Sequence, residues 1–453
     1  MNNKTLNINE IGENIINIAR KYECSAQVTI SEQKSKEINV RQGETEHLLS
    51  SEAISTGVRL FSGGKSTIIS FSGRNFDDMD AKIKTALKDM AYLEDDKAKR
   101  LLDRDEFEGD VIDMELNDDF FEHIKIAHVT ENLKEIEKKG LTFSDKIIPS
   151  EMAEFSASKN RLSLFSSQGL HKTYERSFYS FGYTAVAEDK NKGIKEVDSY
   201  SEGKRFFGDL PGLDKIGEIA ADRALRKLGG RKIKSTGMKV IFSFRTAPSI
   251  LDLLGDALIG EEIVLRNSFL VGKLGEKLFP DSITIIDNPL INRRPGSYPF
   301  DGEGMNGREK AVFEKGKLLT WLHNSYSAEK LKMALTGNAS APISAAPGIK
   351  CGNFFLASGK GSLDDLMQEM KTGLLIEELF LSGMNNVTGD FSFGCSGHMV
   401  ENGRATFPVK EITIAGNLLD LFKNIIAIAD DNRWKYSVSS PSFLVSKLTI
   451  AGT

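Results

Sequence analysis

Residues 383–416 read GMNNVTGDFSFGCSGHMVENGRATFPVKEITIAG, and where the turns fall here decides how the second half of the chain folds. Gly389 to Val400 is expected to be a strand with small residues spaced along it. Glu401-Asn402-Gly403-Arg404 follows as a tight hairpin, because Asn-Gly accepts the positive φ of a two-residue type I′ loop. Ala405 to Val409 returns antiparallel, Lys410 to Ala415 makes a further strand, and Gly416-Asn417 opens a helix. Glycine within a strand marks a bulge or the close approach of another backbone. Two readings follow: an ordinary meander, which composition favours, and a sheet whose edge or face receives an extended peptide.

Working outward, Met238–Phe244 is a strong strand, and Thr246-Ala247-Pro248 starts a helix running to about Gly260, with Pro in its first turn. Ile283–Ile286 is a strand, and Val312–Trp321 a hairpin turning at Lys315-Gly316. Ser327–Leu335 is a short helix, and Ser362 opens another with a capping-box pattern. Leu374–Leu381 leads into the opening stretch, Leu418–Ala429 reads as an amphipathic helix, and Phe443–Ile450 closes the chain as a strand.

Toward the N-terminus, Asn9–Tyr22 has helical spacing, then Ala26–Ser31, Lys36–Val40, Gly57–Phe61 and Ser66–Ser70 read as strands. Gly63-Gly64 marks a hairpin between the last two. Asp78–Leu93 is a helix capped by Asp77 or Asp78, Glu94–Asp113 a solvated charged linker, and Asp119–Lys139 a helix. Met152–Arg161, Leu162–Ser166, His171–Tyr183 and Tyr183–Glu188 read as strands, followed by a polar loop at Lys190–Gly193. Leu213–Leu228 is a helix stopped by Gly229-Gly230. The expected fold is α+β. An N-terminal α/β domain spans 1–235, with sub-regions of about 1–105 and 106–235. A C-terminal domain, 236–453, is dominated by a strongly curved antiparallel sheet or pseudo-barrel with short helices.

The net charge of −5 offers no general basic surface for holding nucleic acid. Cys24, Cys351 and Cys395 lie far apart with no CxxC, the pattern of a reduced compartment. The opening residues carry no apolar leader and no run approaches a membrane span, so a cytoplasmic location is expected. No HExxH, GxSxG, phosphate loop or dinucleotide fingerprint occurs. Of the six histidines, His398 alone lies near a cysteine, Cys395. Their odd spacing on a strand points them to opposite faces, so Cys395 is expected to be structural.

Several C-terminal motifs, in order and spacing, resemble one family. They are Phe300-Asp301-Gly302-Glu303-Gly304, Gly316-Lys317-Leu318-Leu319, Tyr326–Leu331, Thr336-Gly337-Asn338-Ala339, Asn385–Ser392 and Glu401-Asn402-Gly403, with the closing Ser440–Gly452. Together they resemble the TldD/PmbA family, linked to peptide hydrolysis and also called modulators of DNA gyrase. TldD-type members carry HExxGH on a helix and a later cysteine as zinc ligands. Here Leu251 and Asp256 stand at the histidine positions and Asp252 at the glutamate, while Gly255 keeps its place. Residues Arg433–Ser439 hold no cysteine.

The resemblance therefore implies the PmbA/TldE branch: no catalytic residue and no metal in this chain, zinc in a TldD-type catalytic subunit, and a role in proteolysis of small or unfolded peptides. It implies a homo- or heterodimer, an extended peptide substrate, no membrane and no direct nucleic-acid contact. Asn385, Asn386, Thr388, Asp390, Glu401, Asn402, Gly403 and Arg404 are the candidate peptide- or partner-binding residues. Two alternatives stay open: an autonomous peptidase with a different site, or a non-enzymatic module acting on DNA gyrase or a toxin–antitoxin system.

Overall fold

The computed structural model describes residues 7–73, 78–149, 151–381 and 383–452. Residues 1–6 and Asp77, which entered the readings of the N-terminus and of a helix cap, lie outside these ranges. Helix α1 (Ile8–Lys21) begins with a reciprocal cap, Asn7 and Glu10 each bonding the other's backbone, and buries Ile11, Ile15, Ile16 and Ala19. Strands β1 (Ser25–Arg41), β2 (Glu44–Ser62) and β3 (Lys65–Ser72) follow as an antiparallel meander. Helices α2 (Met79–Met90), α3 (Arg104–Phe107) and α4 (Ile126–Leu141) come next. Strands β4 (Ile147–Ile148), β5 (Ala153–Ser166), β6 (His171–Asp189) and β7 (Ile194–Lys204) then complete one sheet ordered β3-β2-β1-β5-β6-β4, with β7 also on β6. Helix α5 (Asp214–Lys227) packs on α4, β6 and β7.

These strands correct the sequence reading in one consistent way. Ala26–Ser31 and Lys36–Val40 are parts of one strand, β1. So are the paired segments now forming β5 and those forming β6. In β1 the break falls at the polar run Glu32 to Ser35, where backbone pairing on both sides continues without interruption. Strand β7 and the first half of β2 were missed because their side chains are mostly exposed and polar. Asp78 makes no side-chain cap bond to α2. The reading of Asp119–Lys139 as one helix gives way to a 3₁₀ turn, Asp119–His123, followed by α4.

The C-terminal half opens with β8 (Thr236–Phe242), α6 (Ala247–Ala257) and α7 (Gly260–Val264). Strands β9 (Ile285–Asp287), β10 (Lys310–Glu314) and β11 (Lys317–Leu318), helix α8 (Ser325–Leu331) and β12 (Phe354–Leu356) follow. Helix α9 (Leu363–Met370) has the Ser362–Asp365 capping box. Then come β13 (Gly373–Phe380), β14 (Asp390–Glu401), β15 (Arg404–Asn417), α10 (Leu418–Lys423), β16 (Ile425–Ile428), β17 (Val438–Ser439) and β18 (Phe443–Ala451).

Strands β15-β14-β13-β8-β18 run side by side, and β15 also pairs with β18. The ring is therefore closed, which bears out the expected α+β fold with a strongly curved sheet or pseudo-barrel. Only β8 with β13 is parallel within it. Phe242, Ile376, Phe393, Ile414, Phe443 and Val445 fill the core. A smaller sheet, β11-β10-β9-β12-β17, packs beside it. Leu418–Ala429 is not one helix: α10 stops at Lys423, and the apolar residues after it join β18 as a strand.

The two halves meet at the loop Phe300–Asn306. Gln27 Nε2 donates to the Gly302 carbonyl at 2.8 Å, and Arg59 reaches both Gln27 Oε1 (2.9 Å) and Glu303 Oε1 (3.5 Å). Glu303 also accepts from Ser325 N (2.7 Å) and Ser325 Oγ (2.6 Å). Lys172 Nζ donates to the carbonyls of Phe107 (2.6 Å) and Gly304 (3.0 Å) and to Asn306 Oδ1 (2.5 Å). Residues 94–113, read as a solvated linker, help to build this junction. Leu102 and Phe107 are buried against Phe300 and Leu164, and Arg100 pairs with Glu106.

Removing one member of a buried ion pair leaves the other desolvated and alone. Arg59→Leu is expected to cost about 3–5 kcal/mol in urea unfolding, and Arg59→Leu with Glu303→Gln clearly less. A double-variant loss equal to the sum of the losses of Arg59→Leu and Glu303→Gln alone would show that the pair carries no coupling.

At the hairpin, Asn402 and Gly403 have φ of 52° and 74°, as a type I′ turn requires. Gly403 N donates to the Lys371 carbonyl, and a Cβ on Gly403 would meet Gln368 Oε1 at 2.5 Å. Gly403→Val is expected to destabilise the protein by about 1–3 kcal/mol and Gly403→Asn by less, because Asn tolerates the left-handed region. Thermal melts of the three proteins check this, and identical midpoints would contradict it.

Candidate functional site

Helix α6 carries the positions singled out for zinc. Leu251 is sunk in the core, 1 % exposed, among residues that also include Leu254 and Phe354. Gly255 packs against Phe354 and Cys351, its absent Cβ falling 3.4 Å from the Phe354 ring and 3.6 Å from Cys351 Sγ. Asp252 and Asp256, one turn apart, lie on the outer side of the helix. The core beneath them still desolvates both carboxyls. Burial raises Asp252, while burial, then Asp252 and Glu262, push Asp256 up to about 6. Burial also raises the Cys351 thiol, helped by the negative charge of Asp287, Asp252 and Asp256. Among the described residues, no group of three or more His, Cys, Asp or Glu side chains is placed to hold a metal ion.

The eight candidate binding residues fall into two clusters at opposite ends of β14. Eleven residues separate Asp390 from Glu401, roughly 36 Å along a strand. Asn385, Thr388 and Asp390 use their side chains on their own loop. Asn385 Oδ1 accepts from Val387 N (2.9 Å), Thr388 Oγ1 donates to Asp390 Oδ2 (2.8 Å), and Asn417 Nδ2 donates to Asp390 Oδ1 (2.9 Å). Asn386 offers its carbonyl to Phe269 N (2.9 Å). At the other end, Glu401 and Arg404 pair across the hairpin whose tip, Asn402-Gly403, docks on α9.

Between the clusters, where β13–β15 face β7 and α5, lies a groove of about 630 Å³. Strand β13 carries a bulge between Ile376 and Glu378. Glu377 and Glu378 both turn toward β14 there, Glu378 to Ser396 and Glu377 to His398. His398 Nδ1 lies 2.6 Å from Glu377 Oε2, and Nε2 lies 3.2 Å from the carbonyl oxygen of Arg226, near the end of α5. Burial pushes the Glu377 carboxyl up, but His398, Arg226 and Arg245 outweigh it and hold it below its usual range.

Asp198 of β7 accepts from Arg245 at 2.9 and 3.2 Å and pairs with Lys227 at 3.5 Å, while Lys410 pairs with Glu196 at 2.6 Å. The Asp198–Arg245 and Glu196–Lys410 pairs join the two halves of the chain, and Asp198–Lys227 ties β7 to α5. Cys395 is buried with Phe393 in the barrel core, and burial pushes its thiol up to about 12. A thiolate nucleophile is therefore not available near neutrality.

The sequence reading missed this groove, and it missed the buried polar residues that hold its walls. The adjacent Glu377-Glu378 in an otherwise apolar strand was a visible signal, since buried carboxylates need partners. Asp301 and Glu303 were noted only as motif letters. Asp301 accepts from Glu303 N, Met305 N and Ala339 N, and so folds the loop that joins the halves.

The raised carboxyl of Asp256 makes a signed prediction. The folded chain holds this proton more tightly than the unfolded chain, so stability falls as pH rises from about 4 to about 6 and stays lowered above. Asp256→Asn should thus be more stable than the parent at pH 7 and no more stable at pH 4. The gain should stay under about 1 kcal/mol because the side chain reaches solvent. Melts at the two pH values check it; an equal gain at both would refute it.

Three family models, described as PmbA/TldA metallopeptidase domain 1, central domain and C-terminal domain, match residues 26–89, 120–228 and 235–452. The chain is 30 % identical to the metalloprotease PmbA homolog of Haemophilus influenzae over 96 % of this chain and 94 % of that protein. It is 28 % identical to the metalloprotease PmbA of Escherichia coli O157:H7, over 94 % and 92 %. A Bacteroides thetaiotaomicron crystal structure, that of a candidate modulator of DNA gyrase, superposes with a TM-score of 0.90 at 25 % identity, covering 98 % of this chain and 99 % of the other. TldE from Thermococcus kodakarensis shares the fold, with a TM-score of 0.85 at 19 % identity over 97 % and 99 %. With models of all three domains matched in order along most of its length, the chain belongs to the PmbA/TldD metallopeptidase family.

Proposed function

We propose that this chain is a PmbA/TldE-type subunit that has no catalytic zinc of its own and serves a TldD-type metalloprotease subunit in cleaving small or unfolded peptides. The donor set on α6 carries this reading. Zinc needs three protein ligands, commonly imidazole or thiolate, to hold an activated water. Here Leu251 offers no donor and is packed into the core. Burial raises the pKa of both Asp252 and Asp256, and the charge of Asp252 raises Asp256 further. No imidazole stands among them. These residues do not fit a catalytic zinc ion, and no hydrolytic step is assigned to this chain.

The relatives named metalloprotease PmbA and the fold shared with TldE support the partner role. The protonated state of Cys395 speaks against an autonomous thiol peptidase. No helix among the described residues is long and apolar enough to cross a membrane. Action in the cytoplasm, as a homo- or heterodimer on extended peptides, remains part of the proposal.

The test mixes the purified chain with an HExxGH-bearing homologue and an unstructured peptide. Each protein alone should leave the peptide intact or cut it slowly, and the mixture should cut it faster and co-migrate on a sizing column. Cleavage by this chain in a preparation free of the homologue would defeat the proposal. So would a homologue whose activity and migration do not change on mixing.

A further inference from the structure

The groove between β7–α5 and the barrel has an imbalance that its own residues do not resolve. Its carboxylates are spoken for: Asp198 by Arg245 and Lys227, Glu196 by Lys410, Glu377 by His398, and Glu378 by Lys227 and Ser396. Two guanidinium groups on the same wall are not. Arg223 has five N–H donors, yet among the described residues its side chain makes one hydrogen bond, from Nη1 to the Ser199 carbonyl at 2.9 Å. It lies on the Tyr200 ring, 4.7 Å from the centroid, and the carboxylates whose charge reaches it, Asp198 and Glu377, are bonded to Arg245 and His398. One turn on, Arg226 pairs with Asp222 at 3.8 Å with both side chains about half exposed, a contact worth little, and its charge also reaches Glu377, which His398 already holds.

A half-buried guanidinium that shares its anions with other cations gains from a carboxylate of its own. Burial and then Arg245 depress the Arg223 pKa, against the pull of Asp198 and Glu377, and burial followed by Arg223 depresses Lys435. Across the groove the exposed apolar side chain is Phe380, 60 % exposed, while Val409 and Ile412 line the groove from the core with almost no exposed surface. A volume of about 630 Å³ falls within the range of ligand sites. The site therefore offers charge-assisted donors on one wall and an apolar surface opposite.

We infer that this groove binds a carboxylate-bearing ligand of peptide size, its carboxylate held by Arg223 and Arg226 and its apolar part lying against Phe380. The carboxylate can come from a peptide C-terminus or from an acidic side chain. Guanidinium groups suit either, since they present paired N–H donors to a carboxylate. Binding here needs no second subunit, so this inference stands or falls separately from the partner role.

The full chain, alone, is titrated into a fluorescent apolar hexapeptide with a free C-terminal carboxylate, and binding is followed by anisotropy. The same peptide with a C-terminal amide is expected to bind about tenfold more weakly or worse, the loss of its charge-assisted hydrogen bonds. An amidated peptide carrying one internal glutamate separates the two carboxylate sources. Binding restored by the glutamate assigns side chains as well as termini, and binding not restored assigns the terminus.

Arg226→Gln, at an exposed position, should weaken the free acid by roughly threefold or more with its melting temperature unchanged, and Arg223→Gln should weaken it further. If Arg223→Gln does not fold, Arg226→Gln decides. Equal affinity for acid and amide, no saturable binding, or no effect of Arg226→Gln would overturn the inference. Displacement of the peptide by a single-stranded oligonucleotide that binds more tightly would also overturn it, in favour of a general polyanion surface.

Discussion

The structure depends on the way the Phe300–Asn306 loop is gripped from the other half of the chain. Gln27, Arg59 and Lys172 rise from three strands of the N-terminal sheet and reach the backbone and the Glu303 side chain of this loop. The contact is polar, buried and fully partnered, which makes it directional where an apolar interface would slide. On the far side, Asp301 and Glu303 tie the same loop to Ala339 and Ser325. One short segment thus fixes the seven-stranded sheet against the C-terminal half, and the seam along β7 and α5 inherits that geometry.

The barrel sets the other side of the seam. Closure of β15 on β18 removes free edges from the ring and leaves few ways for its strands to move relative to each other. Within that rigid ring the bulge in β13 is the departure that matters. It sends two successive carboxylates toward β14, and each is matched by a hydroxyl, an imidazole or a cation. The cationic wall facing them comes from α5 and from the turn after β8. The groove is therefore a product of both halves.

Helix α6 shows packing and electrostatics acting on opposite faces of one element. Its glycine packs on Cys351 and Phe354, and its first turn begins with Pro248. The inward position holds leucine, whose burial contributes about 1.5–3 kcal/mol to the core. The outward positions hold two carboxylates whose partial burial, and for Asp256 the nearby charge of Asp252 and Glu262, opposes their ionised forms. The helix is shaped by packing on one face and left under electrostatic strain on the other.

The amino-acid order by itself determined the local structure wherever backbone chemistry decides: the Asn402-Gly403 turn, the Gly63-Gly64 hairpin, the Ser362 cap, and most helices and strands with a clear apolar period. It also carried the motifs that identify the family. It misjudged strands such as β1 and β7 and the segment after α10, because pairing with distant neighbours, not side-chain pattern, keeps them extended. The functional geometry was least legible. Asn385 and Thr388 spend their side chains within their own loop, while Arg223, Asp198, Glu377 and His398 lie far apart in sequence. Only the closed ring and the gripped loop bring those four to one groove. Charge pairing across such a seam depends on distances of a few ångströms that no local spacing encodes.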